Sequence, residues 1–373
     1  MIITLKAKLK KPNKRKEILL ENYCREFTEC CNFYLKEIQR LRTTSRKRLH
    51  SELYQKAKKK FPEIATQNLQ TALDKSIETA RAFYRKKGKK TFPRFTNIFG
   101  AFRQDSVRID KLNLGLNLIK GKRIWLPFEI RNEYKPLLEK SGRVEIKKVR
   151  KKWFAFITVQ LNPEKKKAKK VLGLDLGIAK IATLSDSQGR INKFWRGEWI
   201  RWKHQYFEKI RAELQKNRKS LKKISGKERR WMRDINHKIS REIVNIAIKE
   251  KANIAVENLI GIRSRLKLTK RTRKMIAHWS FRELLNFIEY KLRLAGLEMF
   301  SVNPRGTSIT CPKCGFRHRR NRRSQSIFKC SRCGYELNAD LVAARNIATL
   351  GERYILSPEC GYASAVSGIN PTS

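Results

Sequence analysis

The chain has 373 residues, 40% of them hydrophobic, and carries 88 Lys and Arg against 33 Asp and Glu, a net charge of +55. That length allows two or three domains with real cores, and no apolar run approaches the ~20 residues needed to span a bilayer. A surface this basic repels itself unless a polyanion covers it, which points to nucleic acid. A lipid surface fits less well, because the basic residues run through the whole chain and do not gather on one amphipathic helix.

The N-terminal segment MIITLKAKLKKPNKRKE lacks the apolar core and cleavage site of a signal peptide. A short strand (Ile2, Ile3, Leu5) precedes residues 15–42, where Ile18, Tyr23, Phe27, Cys30, Cys31, Tyr34 and Ile38 recur at helical spacing. A second long helix is expected from Pro62 through Leu69, Leu73, Ile77 and Phe83 to about Lys87, ended by Gly88 and Pro93. From 94 to 161 the apolar residues change to period two (Leu112, Leu114, Leu116, Leu118, then WFAFITVQL), the pattern of a small β-barrel. KKKAKK at 165–170 reads as a linker. Beyond it, VLGLDLGIAKIATL and INKFW form a hairpin about the turn DSQGR, followed by a long basic helical stretch at 197–250. The strand NIAVENL, a basic segment, a helix near 279–295 and the strand EMFSVNP lead to a cysteine cluster. The tail from 351 to 373, rich in Ser, Gly and Pro, is expected to be disordered.

Cys311, Cys314, Cys330 and Cys333 read C-x2-C-x15-C-x2-C, with Gly315 and Gly334 after each pair. This is four-thiolate zinc spacing, a structural ribbon over 308–336 with no position open for water. His318 is a possible substitute ligand. The other cysteines (Cys24, Cys30, Cys31, Cys360) are scattered, which suits a reducing compartment with a metal site better than a disulfide framework. The expected localisation is cytoplasmic, associated with the nucleoid.

Three carboxylates stand out. In VLGLDLGIAKIATL, Asp175 shares a strand face with Gly173 and Gly177, which leaves space around it. Glu257 opposes Ile254 and Val256 near the C-terminal end of its strand, where ligands of α/β sheets gather. Asp340 opens the apolar helix ADLVAARNIATL. Each alone reads equally well as a surface acid or a helix cap. Together, inside a polycation, they suit Mg²⁺ through oxygen ligands, two ions about 4 Å apart serving an in-line phosphodiester displacement. The run RSRLKLTKRTRK (Arg263, Arg265, Lys267, Lys270, Arg271, Arg273, Lys274) and Arg319, Arg320, Arg322 and Arg323 of the ribbon are candidate contacts for nucleic acid. Trp195, Trp199, Trp202 and Trp231 are expected to pack the basic helices.

The segments GLDLGIAKIATLSD, IAVENLIGI, WSFRELLNFIEYKLRLAGLEMFSVNPRGTSITCPKCG and CSRCGYELNADLVAARNI resemble the RuvC-like nuclease domain of TnpB (OrfB), a transposon-encoded RNA-guided nuclease family related to type V CRISPR effectors. The order strand acid, strand acid, ribbon, helix acid is the family's own. The resemblance is strong from 171 to about 350; upstream it rests on FPRF at 92–95, YCREFTECCNFYL and layout. It implies an α/β fold: an RNase H-like (RuvC) core at 166–350 with an inserted zinc ribbon, plus an N-terminal β-barrel (wedge) at 1–14 and 91–165 with a helical recognition lobe at 15–90 inserted. It also implies a non-coding guide RNA and cleavage of double-stranded target DNA beside a short flanking motif, with Asp175, Glu257 and Asp340 as the catalytic acids. The chain departs from the family at Val342, where asparagine is usual. A catalytically silent RNA-guided repressor, an unguided structure-specific nuclease and a CRISPR-associated relative are the alternatives.

Overall fold

The computed structural model describes residues 1–85, 91–119, 122–177, 180–258, 281–356 and 363–365, in two compact units, Met1–Asn162 and Pro163–Ser373. No helix among the described residues is long and apolar enough to cross a membrane.

The first unit is built on seven antiparallel strands: β1 (Ile2–Leu9), β2 (Phe99–Phe102), β3 (Val107–Asp110), β4 (Asn113–Ile119), β5 (Lys122–Glu129), β6 (Ser141–Val149) and β7 (Lys152–Gln160). Their order is β2-β6-β7-β1-β5-β4-β3. The two edge strands, β2 and β3, are joined by one short turn at Gln104–Ser106, so the sheet curls until its edges nearly meet. Alternation drives the curl: Trp153, Ala155, Ile157 and Val159 of β7 are buried inside, as are Leu5, Ala7 and Leu9 of β1. Helices α1 (Lys14–Leu41), α2 (Arg46–Lys60) and α3 (Thr66–Tyr84) are inserted between β1 and β2. Asn13 caps α1, its Oδ1 accepting the Lys16 N–H at 2.9 Å. The helix expected from Pro62 starts at Thr66, because Pro62 lies in the turn that ends α2. In α2 only Leu49, Leu53 and Ala57 are buried, and among its lysines and arginines so thin a stripe gives no clear period.

The second unit holds β8 (Lys170–Asp175), β9 (Lys180–Ser185), β10 (Asn192–Arg196), α4 (Glu198–Lys216), α5 (Lys227–Glu250), β11 (Ala252–Glu257), α6 (Phe281–Leu294), β12 (Met299–Val302), β13 (Ile327–Lys329), β14 (Glu336–Asn338), α7 (Ala339–Leu356) and β15 (Ala363–Ala365). Six strands form one sheet in the order β10-β9-β8-β11-β12-β15. β8, β11 and β12 run parallel; the other neighbours are antiparallel. Leu172, Leu174, Ile254 and Val256 bury one face with α5 and α6, through Ile239, Ile243, Leu284 and Ile288. Val171, Ala255, Phe300 and Val302 bury the other face with Ile347 of α7.

Four expectations change. The segment read as one strand, VLGLDLGIAKIATL, breaks after Asp175 into two antiparallel strands, so Gly177 lies past the strand end. The helical stretch at 197–250 is interrupted at 217–226, where Arg218 and Gly226 take positive φ (50° and 67°). The tail expected to be disordered from 351 is helical to Leu356, and Ala363–Ala365 pairs with β12. Gly351 does not stop α7; a Cβ there would lie 2.7 Å from Ala255 Cβ and Val171 Cγ1, so the glycine lets helix and sheet touch. Of the four tryptophans, Trp195 is buried and Trp199 and Trp231 pack edge to face, as expected, although Trp199 is also exposed; Trp202 is the most exposed of them. Cys360 falls outside the described residues.

Candidate active site and metal centre

Asp175 and Glu257 end neighbouring parallel strands. Val256 is registered with Leu174 and Ala255 with Gly173, so Glu257 stands beside Asp175. Both follow the parity of Gly173 and Ala255 and therefore face α7. Asp340 reaches the same place because α7 lies directly on β8. A Cβ at Gly173 would sit 2.0 Å from the Ala344 carbonyl oxygen and 2.5 Å from the Ala348 amide nitrogen. Val171 meets Gly351 while Gly173 meets Ala344, so moving toward Asp175 along the strand leads back along the helix toward Asp340. One helical turn before Ala344 is Asp340. The glycine in the strand is thus explained by a backbone, not by a ligand.

The electrostatics agree. Burial, then the charges of Glu257 and Asp340, push the Asp175 carboxyl up to about 7, against a downward pull from Arg322. Burial also raises Glu257, opposed by a hydrogen bond from Thr307 and by Arg322. Asp340 is not spent on capping its helix. Asn338 does that, its Oδ1 accepting the Asp340 N–H at 3.1 Å, and the Asp340 carboxylate pairs instead with Lys180 at 3.3 Å. Asp175 and Glu257, both raised, with Asp340 near enough for its charge to raise Asp175, are a hard-oxygen donor set suited to Mg²⁺, whose charge would favour their ionised forms.

The cysteine cluster stands between the second and third acids in sequence. The sulfurs of Cys311, Cys314, Cys330 and Cys333 all lie within 4.8 Å of one another, the one such group of ligand atoms among the described residues. Cys311 and Cys333 are 3.7 Å apart and Cys314 and Cys330 3.6 Å. Those separations are too long for a disulfide and match the ~3.8 Å edge of a tetrahedron with Zn–S bonds of about 2.3 Å. The two knuckles have the same form. Gly315 N–H donates to Cys311 O and Gly334 N–H to Cys330 O, and both glycines take positive φ (71° and 72°). His318 is not part of the cluster's ligand set; its Nδ1 accepts the Arg320 N–H and caps a short turn. Val342 packs with Cys311, Phe328, Cys330 and Ala339, so the residue at which the chain departs from its resemblance fills the apolar seam between ribbon and helix.

The ribbon is tied to the acids by hydrogen bonds from Thr307 and Asn346. Thr307 Oγ1 donates to Glu257 Oε1 at 2.5 Å. Asn346 of α7 donates to the carbonyls of Thr307 and Thr310 at 2.7 and 2.8 Å. Sequence reasoning passed over Thr307 and Lys180, whose acid partners are distant in the chain, and Asn338, which Lys180 reaches from 158 residues away. The signal was there in part: TSIT abuts the first cysteine pair, and Asn338 sits two residues before the helix acid. Of the ribbon arginines, Arg319, Arg320 and Arg323 are exposed, whereas Arg322 is partly buried and near enough to lower both Asp175 and Glu257. Arg263, Arg265, Lys267, Lys270, Arg271, Arg273 and Lys274 lie outside the described residues.

Comparison with known proteins divides along the same lines. Residues 143–262, which include Asp175 and Glu257, match the family OrfB_IS605, described as "Probable transposase". Residues 281–347, with the four cysteines and Asp340, match the family described as "Cas12f1-like, TNB domain". The TnpB-like protein aq_aa05 of Aquifex aeolicus is 32% identical over 241 residues, which cover 57% of this chain and 77% of that protein. The TnpB-like protein MJ0751 of Methanocaldococcus jannaschii is 34% identical over 44% of this chain and 63% of its own length. CRISPR-associated endodeoxyribonuclease Cas12f1 of Sulfoacidibacillus thermotolerans is 30% identical over 53% of this chain and 50% of its own length. The aligned part thus spans half to two thirds of the last two relatives. Among solved structures, the mini-RNA-guided endonuclease CRISPR-Cas_phi3 shares the fold with a TM-score of 0.55 at 12% identity, over 94% of this chain and 92% of that one.

Proposed function

This chain belongs to the TnpB family, and on that premise we propose that it is an RNA-guided, Mg²⁺-dependent DNA endonuclease of transposon origin. The observation that carries the reading is the convergence of Asp175, Glu257 and Asp340 on one face of the sheet, from two strands and a helix. An antiparallel β10-β9-β8 meander continued by parallel β11 and β12 supports assignment of the second unit as the RNase H-like (RuvC) core. A bound Mg²⁺ pair would supply an activated water and neutralise charge developing on a phosphodiester.

The chain's own residues set the conditions. Asp175 and Glu257 are fixed by strand register, and Asp340 by the contact of α7 on Gly173. Thr307 orients the Glu257 carboxylate through its hydroxyl. Arg322 directs positive charge at the acids from the ribbon, where a scissile phosphate needs a counter-charge. The exposed Arg319, Arg320 and Arg323 hold the strand leading to it, and zinc on the four thiolates keeps that ribbon rigid. In this reading the curled sheet of the first unit is the wedge and its inserted helices the recognition lobe, contacting guide RNA and the flanking motif of the target duplex. The net charge of +55 suits two polyanionic partners.

The test is to express the chain with its native flanking DNA and sequence the RNA that copurifies. One defined RNA, with a constant scaffold and a 3′ end running into neighbouring sequence, is expected. The complex should then cut a matched plasmid in Mg²⁺, and Asp175→Ala should lower the rate by roughly 10³-fold or more. A smear of cellular RNA with guide-independent nicking would leave an unguided nuclease in its place.

A further inference from the structure

Lys180 has three partners that converge on its ammonium. Nζ lies 3.3 Å from Asp340 Oδ2, donates to Asn338 Oδ1 at 2.9 Å and sits 3.9 Å from the centre of the Phe194 ring. Neither side of the ion pair is well exposed, at 23% and 21% of the side-chain surface, so bulk water screens it less than a surface pair. The position is also fixed at both ends. Lys180 opens β9, Phe194 stands on the neighbouring β10, and Asn338 is the residue that caps α7. An aromatic face and an amide oxygen both favour a cation where the ammonium lies. The third acid of the site is therefore already neutralised by the protein itself.

We propose that Lys180 is a resident counter-ion of Asp340, a positioning residue that holds this carboxylate in place before metal arrives and must leave it when a divalent ion binds. The inference rests on the carboxylate site proposed above. Ammonium and divalent ion want the same oxygens, so occupancy by one opposes the other. The nucleic-acid-free protein should accordingly bind divalent ions weakly. The same lysine should make the protein more stable when they are absent.

The experiment uses the zinc-loaded full chain freed of nucleic acid, with Mn²⁺ as the probe, titrated by loss of the free-ion electron paramagnetic resonance signal. Lys180→Met keeps an unbranched stem beside Phe194 and removes the charge. It should tighten Mn²⁺ binding roughly tenfold, the scale of losing one opposing charge in contact with the ligand oxygen. Lys193→Met, an exposed charge on the same strand as Phe194, should change it less than twofold, which separates contact from general field. A melting curve gives the second readout. Without Mn²⁺ the Lys180→Met protein should melt below wild type, and at saturating Mn²⁺ it should gain more than wild type does. A purely structural lysine would lower both curves alike.

Wild-type binding that is lost in Asp175→Asn, together with unchanged or weaker binding in Lys180→Met, would overturn this inference and leave the metal-site reading standing. Equal tightening in Lys193→Met would also overturn it. Failure of Mn²⁺ to bind wild type and Lys180→Met alike would bring down the site reading and this inference with it.

Discussion

The two candidate metal centres of the second unit are assembled in opposite ways. The thiolate centre is local: its four ligands fall within 23 residues, on two identical knuckles, and each glycine after a cysteine pair has nothing within 4 Å of its absent Cβ. Those glycines answer to backbone conformation alone. The carboxylate centre is non-local. Its three acids span 166 positions, and its decisive glycine, Gly173, answers to another element's backbone at 2.0 Å. A local centre depends on its own turn chemistry and ion, whereas a non-local one depends on every contact that sets sheet register and helix height.

That contrast can be broken from either side. Gly173→Ala should have the largest effect, because its methyl has no flexible neighbour to displace, only the α7 backbone. We expect a loss of roughly 3 kcal/mol or more of stability in urea unfolding and loss of cleavage, while the folded fraction still holds one zinc per chain. Retained cleavage would show that α7 does not have to rest on β8. Cys330→Ser is the converse. Zinc content should fall to background and hydrogen exchange should rise across 308–336, while exchange in β8, β11 and α5 stays slow. Cleavage should fall as well, since Thr307 and Arg322 enter the site from the ribbon.

The smallest effect concerns pH. In the fold the Asp175 carboxyl is held up to about 7 by burial and by the charges of Glu257 and Asp340, against ~3.9 in an unfolded chain. Between those values the folded state holds the extra proton, so stability should fall as pH rises from about 4 through 7. In Mg²⁺-free buffer, Asp175→Asn should remove that part of the slope and stabilise the protein at pH 8 by about 1–3 kcal/mol. Urea midpoints at pH 5 and pH 8 measure it, and parallel slopes for the two proteins would show that Asp175 ionises without penalty in the fold.

Much of the molecule was legible in the sequence because the signals are short-range. Cysteine spacing marks a tetrahedral thiolate set whatever surrounds it. Period-two runs gave the curled sheet of the first unit, and the 3–4 spacing of Tyr23, Phe27, Cys30, Cys31 and Tyr34 gave α1. Each of the three acids could be singled out by its place on a strand end or helix start. The errors also have local causes. A strand and its return strand both read as apolar, so the break after Asp175 left no mark in the hydrophobic pattern. The tail from 351 reads as disordered from its Ser, Gly and Pro content, and composition does not distinguish a glycine that loosens a chain from one, like Gly351, that lets a helix pack.

Only the tertiary structure decided that Glu257 and Asp340 both come near Asp175. Parallel pairing of β8 with β11 sets Glu257 beside Asp175, and the approach of α7 over Gly173 brings Asp340 near enough to raise Asp175. It also decided their partners, Lys180 for Asp340 and Thr307 for Glu257. Spacing along a chain encodes contacts within a turn or a knuckle, because backbone geometry fixes those distances. Contacts between elements 80 or more residues apart, such as Asp175 with Glu257, are fixed by register and packing, which the order of residues specifies only through the completed fold.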